Sequence, residues 1–349
     1  MCATELVWQR FCQKVIGDIN NDKWDASYYE IYTRVLHKYG QFIGLWRRQM
    51  GSYGGLLQVK VQDDQLVGTE IKPPYITNIH GPVRRKKILS IGLNKRTRKT
   101  EILCHSGHGK PHPGIIMFDK DKTDVIFKCE QLSSHSHPKG DVWDFDNNIS
   151  EETNRNTIPF TVYDQNRLKE YRSNIGEYKL SKIEIQPANP AYPIQPGIFI
   201  AHYSVHGIEM FLLSYDLDKM EAHILKVTGD PNVPSGEISI FINLRKPLRL
   251  TKEEQLHPEN YDSDWENSVP ESDKIEPYDQ DFIIPQHFQA FFGSDFNPTR
   301  CKYRCLSKGR VAGTGYTNPA LTSGLLSVLT EDILCNFGQI CTVYLDILD

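Results

Sequence analysis

The amino-acid sequence predicts a mainly β chain: a β-barrel domain behind a short N-terminal helical segment, carrying a structural zinc site. Three observations lead there. Apolar residues keep a 3.6-residue period to about residue 40, then give way to short, often β-branched runs. Those runs recur at regular intervals between Gly, Pro and Asp breakers, as in sandwiches and barrels. Cysteines and histidines crowd into residues 104–137.

Residues 1–48 read as helical. Ser27 and Glu30 have the spacing of a capping box, in which hydroxyl and carboxylate each satisfy a free backbone donor. Tyr28, Ile31, Tyr32, Val35, Leu36 and Tyr39 then fall at i, i+3, i+4, i+7, i+8 and i+11, forming one apolar face that Gly40 and Gly44 end. Residues 49–349 are expected to be one β-barrel domain. Its strand-like runs are 56–61, 66–71, 88–93, 101–104, 114–118, 125–129, 180–185, 198–203, 208–215, 223–228, 238–244, 310–316, 324–329 and 340–348, the last closing the same sheet. Residues 138–178 show little periodicity. Residues 251–280 hold Glu253, Glu254, Asp262, Asp264, Glu266, Glu271, Asp273 and Glu276 among few aliphatic residues, and read as a mobile acidic insertion.

A net charge of −4 argues against bulk nucleic-acid binding, which needs a basic field over the domain. The basic runs 84–87 and 95–99 flank residues 88–93 and read as the solvated ends of a hairpin strand. No apolar signal core lies near the start and no run approaches about eighteen apolar residues, so no membrane span is expected. A soluble chain, cytoplasmic and/or nuclear, follows as the expectation, with its eight cysteines reduced or metal-bound. Phosphate-loop, nucleophile-elbow and dinucleotide motifs are missing, and no catalytic constellation emerges.

Cys104, His105, His108, His112, Cys129, His135 and His137 are seven candidate ligands in one short stretch. Zinc in a structural role takes thiolate and imidazole in a closed tetrahedron, with ligand pairs brought together across a hairpin. The hairpin would be 114–118 with 125–129, and we select Cys104, His112, Cys129 and His135. Surface histidines beside two buried cysteines are the bland alternative. A catalytic zinc would need an open position and a carboxylate base, for which Glu101 or Glu130 could be nominated. Cys301, Cys305, Cys335 and Cys341 have the count for a second site but a loose spacing, and buried packing is the better reading.

Residues 203–236 concentrate special residues. Gly207 and Gly229 allow close backbone approach, Pro231 and Pro234 stiffen the turn, and Asp230 precedes a proline. The stiff turn suggests a presented acid; the alternative is an aspartate that caps its own turn.

Several segments together resemble the F-box only protein 31 family, substrate receptors of SCF-type cullin-RING ubiquitin ligases. They are Gly44-Leu45-Trp46, Tyr53-Gly54-Gly55-Leu56-Leu57, Pro196-Gly197-Ile198-Phe199, Tyr203-Ser204-Val205-His206-Gly207-Ile208-Glu209, Thr228-Gly229-Asp230-Pro231-Asn232-Val233-Pro234-Ser235-Gly236, the Cys301 and Cys305 region, and Ala312-Gly313-Thr314-Gly315-Tyr316-Thr317-Asn318-Pro319. The resemblance implies a non-catalytic adaptor with a zinc-bearing barrel, whose ligands fall on the same Cys104, His112, Cys129 and His135. It implies binding of short C-terminal degrons of targets such as D-type cyclins, with an SKP adaptor and a cullin as partners wherever an F-box is present. The chain begins at what resembles only the tail of that F-box, and residues 138–178 and 210–215 drift from the family.

Asp230 stands where the family's specificity residue lies. A carboxylate there would favour a neutral, amide-like peptide end over a free carboxylate. His206, Glu209 and Asn232 are the next expected lining residues. Two other function classes stay open: a small-ligand barrel, which needs an apolar cavity, and a zinc hydrolase, which needs an open metal position.

Overall fold

The computed structural model describes residues 3–73, 82–106, 110–132, 176–202, 208–257, 279–284, 298–330 and 333–337. It divides into two compact units, Met1–Met50 with Leu56–Ile71 and Arg85–Ile183, and Gly51–Gly55 with Lys72–Arg84 and Glu184–Asp349.

In the first unit, α1 (Ala3–Ile16) precedes a helical run that opens on the expected capping box. The Ser27 hydroxyl accepts from Glu30 N at 3.3 Å, and Ser27 N donates to the Glu30 carboxylate at 3.2 Å. The run continues through a wide π-type turn, Tyr32–Leu36, and ends in a tight one, Gly40–Phe42. Its apolar face is buried through Tyr28, Ile31, Val35, Leu36 and Tyr39, while Tyr32 packs at the margin.

Eight antiparallel strands follow: β1 (Gly44–Gln49), β2 (Leu56–Gln62), β3 (Gln65–Lys72), β4 (Arg84–Leu93), β5 (Thr100–Cys104), β6 (His112–Phe118), β7 (Asp124–Cys129) and β8 (Glu177–Ile183). They close into a barrel in chain order, with Leu45 of β1 opposite Ile183 of β8. Trp46, Leu57, Val59, Phe127, Tyr178 and Leu180 share one core cluster with Ile31, Leu36 and Phe42 of the helical segment. Each such side chain contributes about 1.5–3 kcal/mol on burial.

The second basic run does more than solvate a strand end. Arg98, in the β4–β5 turn with φ +57°, donates to Asp25 O at 2.5 Å and to the Glu30 carboxylate at 2.8 Å. Arg34 in turn donates to Arg98 O, which staples the turn to the helical run. The Arg98 hydrogen bond holds the Glu30 carboxyl well below its usual range, to about 2.

In the second unit an antiparallel sheet is built from β9 (Gly197–His202), β10 (Ile208–Asp216), β11 (Glu221–Lys226), β12 (Ile238–Asn243), β15 (Tyr303–Gly313), β16 (Thr317–Val328) and β17 (Leu334–Phe337). Their order is β17-β16-β15-β12-β11-β10-β9, and β13 (Gln280–Asp281) pairs separately with β14 (Arg300–Cys301). Phe211, Leu213, Ile224, Ile240, Ile242, Tyr303, Cys305 and Leu326 belong to one core cluster of this unit. The expectation of a single barrel over 49–349 is thereby corrected to a closed barrel and a separate sheet. Alternating burial looks the same in either setting, and only the pairing of β1 with β8, distant in sequence, decides closure.

The acidic insertion has a built root. Thr251 caps the short helix Lys252–Leu256, and buried Arg304 donates to Gln255 Oε1 at 3.1 Å and to Gln280 Oε1 at 2.9 Å. The strand expected at 340–348 lies outside the described residues, as do most of 138–178 and most of 251–280. Among the described residues no helix is long and apolar enough to cross a membrane.

Candidate functional site

Three of the four selected ligands converge inside the first unit. Cys104 of β5 is directly opposite His112 of β6, and Cys129 of β7 is opposite Gly114, two residues along from His112. Side chains two apart on a strand share a face, so pairing alone puts all three on one side of the wall. All three are buried, and their ligand atoms lie within 4.8 Å of one another, with Cys129 Sγ 4.0 Å from His112 Nδ1. A tetrahedral zinc, at about 2.3 Å from sulfur and about 2.0 Å from nitrogen, separates its ligands by roughly 3.5–3.8 Å. The group thus needs only a small contraction to hold a metal ion.

The surroundings suit thiolates. Gln131 N donates to Cys129 Sγ at 3.4 Å, and Ser106 hydrogen-bonds Cys104 through both its backbone and its hydroxyl. Each sulfur thus receives an N–H from the second residue after it. Without a cation, burial pushes the Cys104 thiol up to about 11, and the nearby Cys129 adds to the shift. A bound cation would reverse that balance, which is the donor chemistry of a soft-metal centre.

His105 stands apart from the group. Its Nε2 is 2.8 Å from Ser90 Oγ, and burial lowers its pKa to about 4. His108, His135 and His137 lie outside the described residues. Neither nominated base joins the group: Glu101 accepts from Asn94 Nδ2 at 3.3 Å, and Glu130 is exposed. The second cysteine set disperses into packing. Cys305 lies in one core cluster of the second unit, Cys301 and Cys335 in another, and Cys341 outside the described residues.

The acid at 230 is buried rather than presented. Asp230 Oδ1 accepts from Asn232 N at 2.6 Å and Val233 N at 3.0 Å, while Oδ2 accepts from Lys226 Nζ at 2.5 Å. Asp230 is 0% exposed, Lys226 0% and Glu209 1%. Lys226 Nζ also lies 2.8 Å from Glu209 Oε2, off the hydrogen-bonding direction, so neither Glu209 oxygen has a well-aligned donor. Burial raises the Glu209 carboxyl to about 7 against the pull of Lys226.

The turn is locked from two further sides within its unit. Gly229 N donates to Tyr53 O and Ser235 N to Ser52 O, and a Cβ on Gly229 would strike the Ser235 nitrogen. Asn232 Nδ2 donates to Ala312 O at 2.8 Å, while Gly315 N and Tyr316 N both donate to Pro231 O. The two glycine-rich segments that carried the resemblance are therefore bound to each other. Gly207 and His206 lie outside the described residues.

Lys226 is the member of this buried cluster that sequence reasoning missed. A signal was present: Ala222, Ile224 and Lys226 alternate on the buried face of β11, and a lysine at an inward position needs buried acids.

Comparison with known proteins finds relatives along most of the chain. The Cyclin D1 binding domain family model matches residues 180–347. F-box only protein 31 of Mus musculus is 26% identical over 380 residues, covering 94% of this chain and 74% of its own length. F-box only protein 31-A of Xenopus laevis is 27% identical over 391 residues, covering 95% and 74%. F-box only protein 31 of Homo sapiens is 31% identical over 256 residues, covering 71% of this chain and 47% of its own. Over most of its length this chain is a homologue of the F-box only protein 31 proteins.

Proposed function

We propose that this protein is the substrate-recognition subunit of an SCF-type ubiquitin ligase, binding D-type cyclins and performing no covalent chemistry itself. The observation that carries the proposal is the Cyclin D1 binding domain match over 180–347, set within homology to F-box only protein 31. Two structural features support it. The barrel interior is filled by Trp46, Phe127, Tyr178 and their neighbours, which favours an adaptor over a small-ligand barrel. The Cys104–His112–Cys129 group has no carboxylate among the described residues, which favours a structural zinc, with His135 as the fourth ligand, over a hydrolytic one.

The degron is a short chain terminus in this reading. Asp230, fully engaged by Lys226 and its own turn, acts on a bound peptide through the position it gives Asn232 rather than by touching it. Two measurements test the function. Purified protein should bind a D-type cyclin in titration calorimetry, and tagged full-length transcript products should recover an SKP adaptor and a cullin from cells; no cyclin binding would sink the proposal. Matched peptides ending in carboxamide or carboxylate, compared on wild type and Asp230→Asn, test the terminus; equal affinity for both ends on both proteins would remove it.

A further inference from the structure

A polar chain, buried except at its partly buried end Ser106, leads from the barrel wall to the Cys104–His112–Cys129 group, and the functions assigned above do not use it. Arg48 of β1 and Glu70 of β3 are 2% and 5% exposed and pair at 3.3 Å. The Arg48 guanidinium lies 4.0 Å from the centroid of the Tyr178 ring on β8. Tyr178 OH is 3.0 Å from Ser106 Oγ, and the Ser106 hydroxyl hydrogen-bonds Cys104. Serine has one hydroxyl proton. When Ser106 gives it to the Cys104 sulfur, Tyr178 must supply the proton between Tyr178 and Ser106.

We propose that Ser106 and Tyr178 are positioning residues for the metal centre, forming with Arg48 and Glu70 a directed relay that fixes the Cys104 sulfur in place as a ligand. The proposal rests on the metal reading of Cys104, His112 and Cys129. The direction of the relay follows from its parts. The cation over the ring face draws electron density from the phenol and makes it a better donor. Glu70 keeps that cation in place. Burial pushes Tyr178 up to about 12, so its hydroxyl keeps the proton it has to donate. Hydrogen bonds to ligating groups orient them and tune the metal, and their loss typically costs about 10–100-fold in metal affinity.

The test measures zinc affinity by competition with a chromophoric chelator, and the thiolate-to-metal charge-transfer band after cobalt substitution. Wild type, Ser106→Ala, Tyr178→Phe, the double variant and a surface control, Lys179→Ala, are compared, with circular dichroism to confirm folding. The relay predicts at least a tenfold affinity loss and a shifted charge-transfer band in each single variant. The double variant should lose little more than either, because the two act in series. Should Tyr178→Phe fail to fold, Ser106→Ala alone carries the comparison. Wild type that binds neither metal overturns the metal reading and the relay with it. Wild type that binds while Ser106→Ala binds within twofold of it overturns the relay alone.

Discussion

The cysteine–histidine group of the barrel and the lysine–carboxylate cluster of the second unit bury polarity by opposite means. In the barrel, two buried thiols and a buried imidazole face one another, a donor set whose counterpart is a soft metal cation, and burial by itself drives the Cys104 thiol toward its neutral form. In the second unit the cation is a side chain: Lys226 stands between Asp230 and Glu209, both fully enclosed. The first centre could be completed from outside by a metal ion, and under the structural-zinc proposal its stability would then depend on an exchangeable ion. The second is complete in the chain, with a surplus negative charge that Glu209 relieves by holding a proton. The comparison shows why one kind of centre can be read from residue types and the other cannot: metal ligands are a restricted set, whereas ion-pair partners are ordinary surface residues until folding encloses them.

Removing the internal cation should have the largest effect. Lys226→Met leaves two carboxylates buried without a countercharge, and breaking a buried pair this way costs about 3–5 kcal/mol. Urea unfolding followed by tryptophan fluorescence would show it, and a loss under about 1 kcal/mol would mean that the cluster is hydrated rather than enclosed. Removing the external cation comes next. Chelation, or Cys129→Ser, should lower the melting temperature and release zinc measurable by mass spectrometry, whereas chelator should leave the loss caused by Lys226→Met unchanged. Chelator-insensitive melting of the wild type would erase the contrast between the centres.

Acidity separates them further. Glu209 has a folded pKa of about 7, above its ordinary value of 4.5. The folded state therefore binds the extra proton, and stability is lost as pH rises from about 4.5 through about 7. Glu209→Gln should accordingly gain on wild type between about pH 5 and pH 7.5; a constant difference across that window would show that Glu209 ionises normally. The smallest effect is expected at the helix staple. Glu30 is held at about 2 by Arg98, so its contribution is full above its ordinary pKa of 4.5 and fades as pH falls toward 2. Glu30→Gln should cost about 1 kcal/mol at neutral pH and nothing near pH 2; equal loss at both ends of the range would place its role in packing.

Much of the first centre was legible. Cys104, His112 and Cys129 are distinctive residue types, and strand periodicity by itself puts His112 and residue 114 on one face. The capping box at Ser27 and Glu30 was equally readable, because it involves residues three apart. Asp230 was misread as a presented acid because turn chemistry reports stiffness and not exposure; the lysine that encloses it lies four residues earlier on a strand. Arg98 was grouped with a solvated basic run for a similar reason, since its partners Asp25 and Glu30 come from the distant helical segment.

What the amino-acid order determined by itself is therefore local or compositional: the helical start, the strand positions, the breakers between them and the residues able to bind a metal. Tertiary structure alone decided that eight strands close while seven others form a separate sheet, that Lys226 and Asp230 vanish from solvent, and that Tyr178 reaches Ser106. The physical reason is common to all three. Periodicity encodes which face of an element turns inward, but partnership between strands is set by pairing register and burial over the whole unit, which no local pattern specifies.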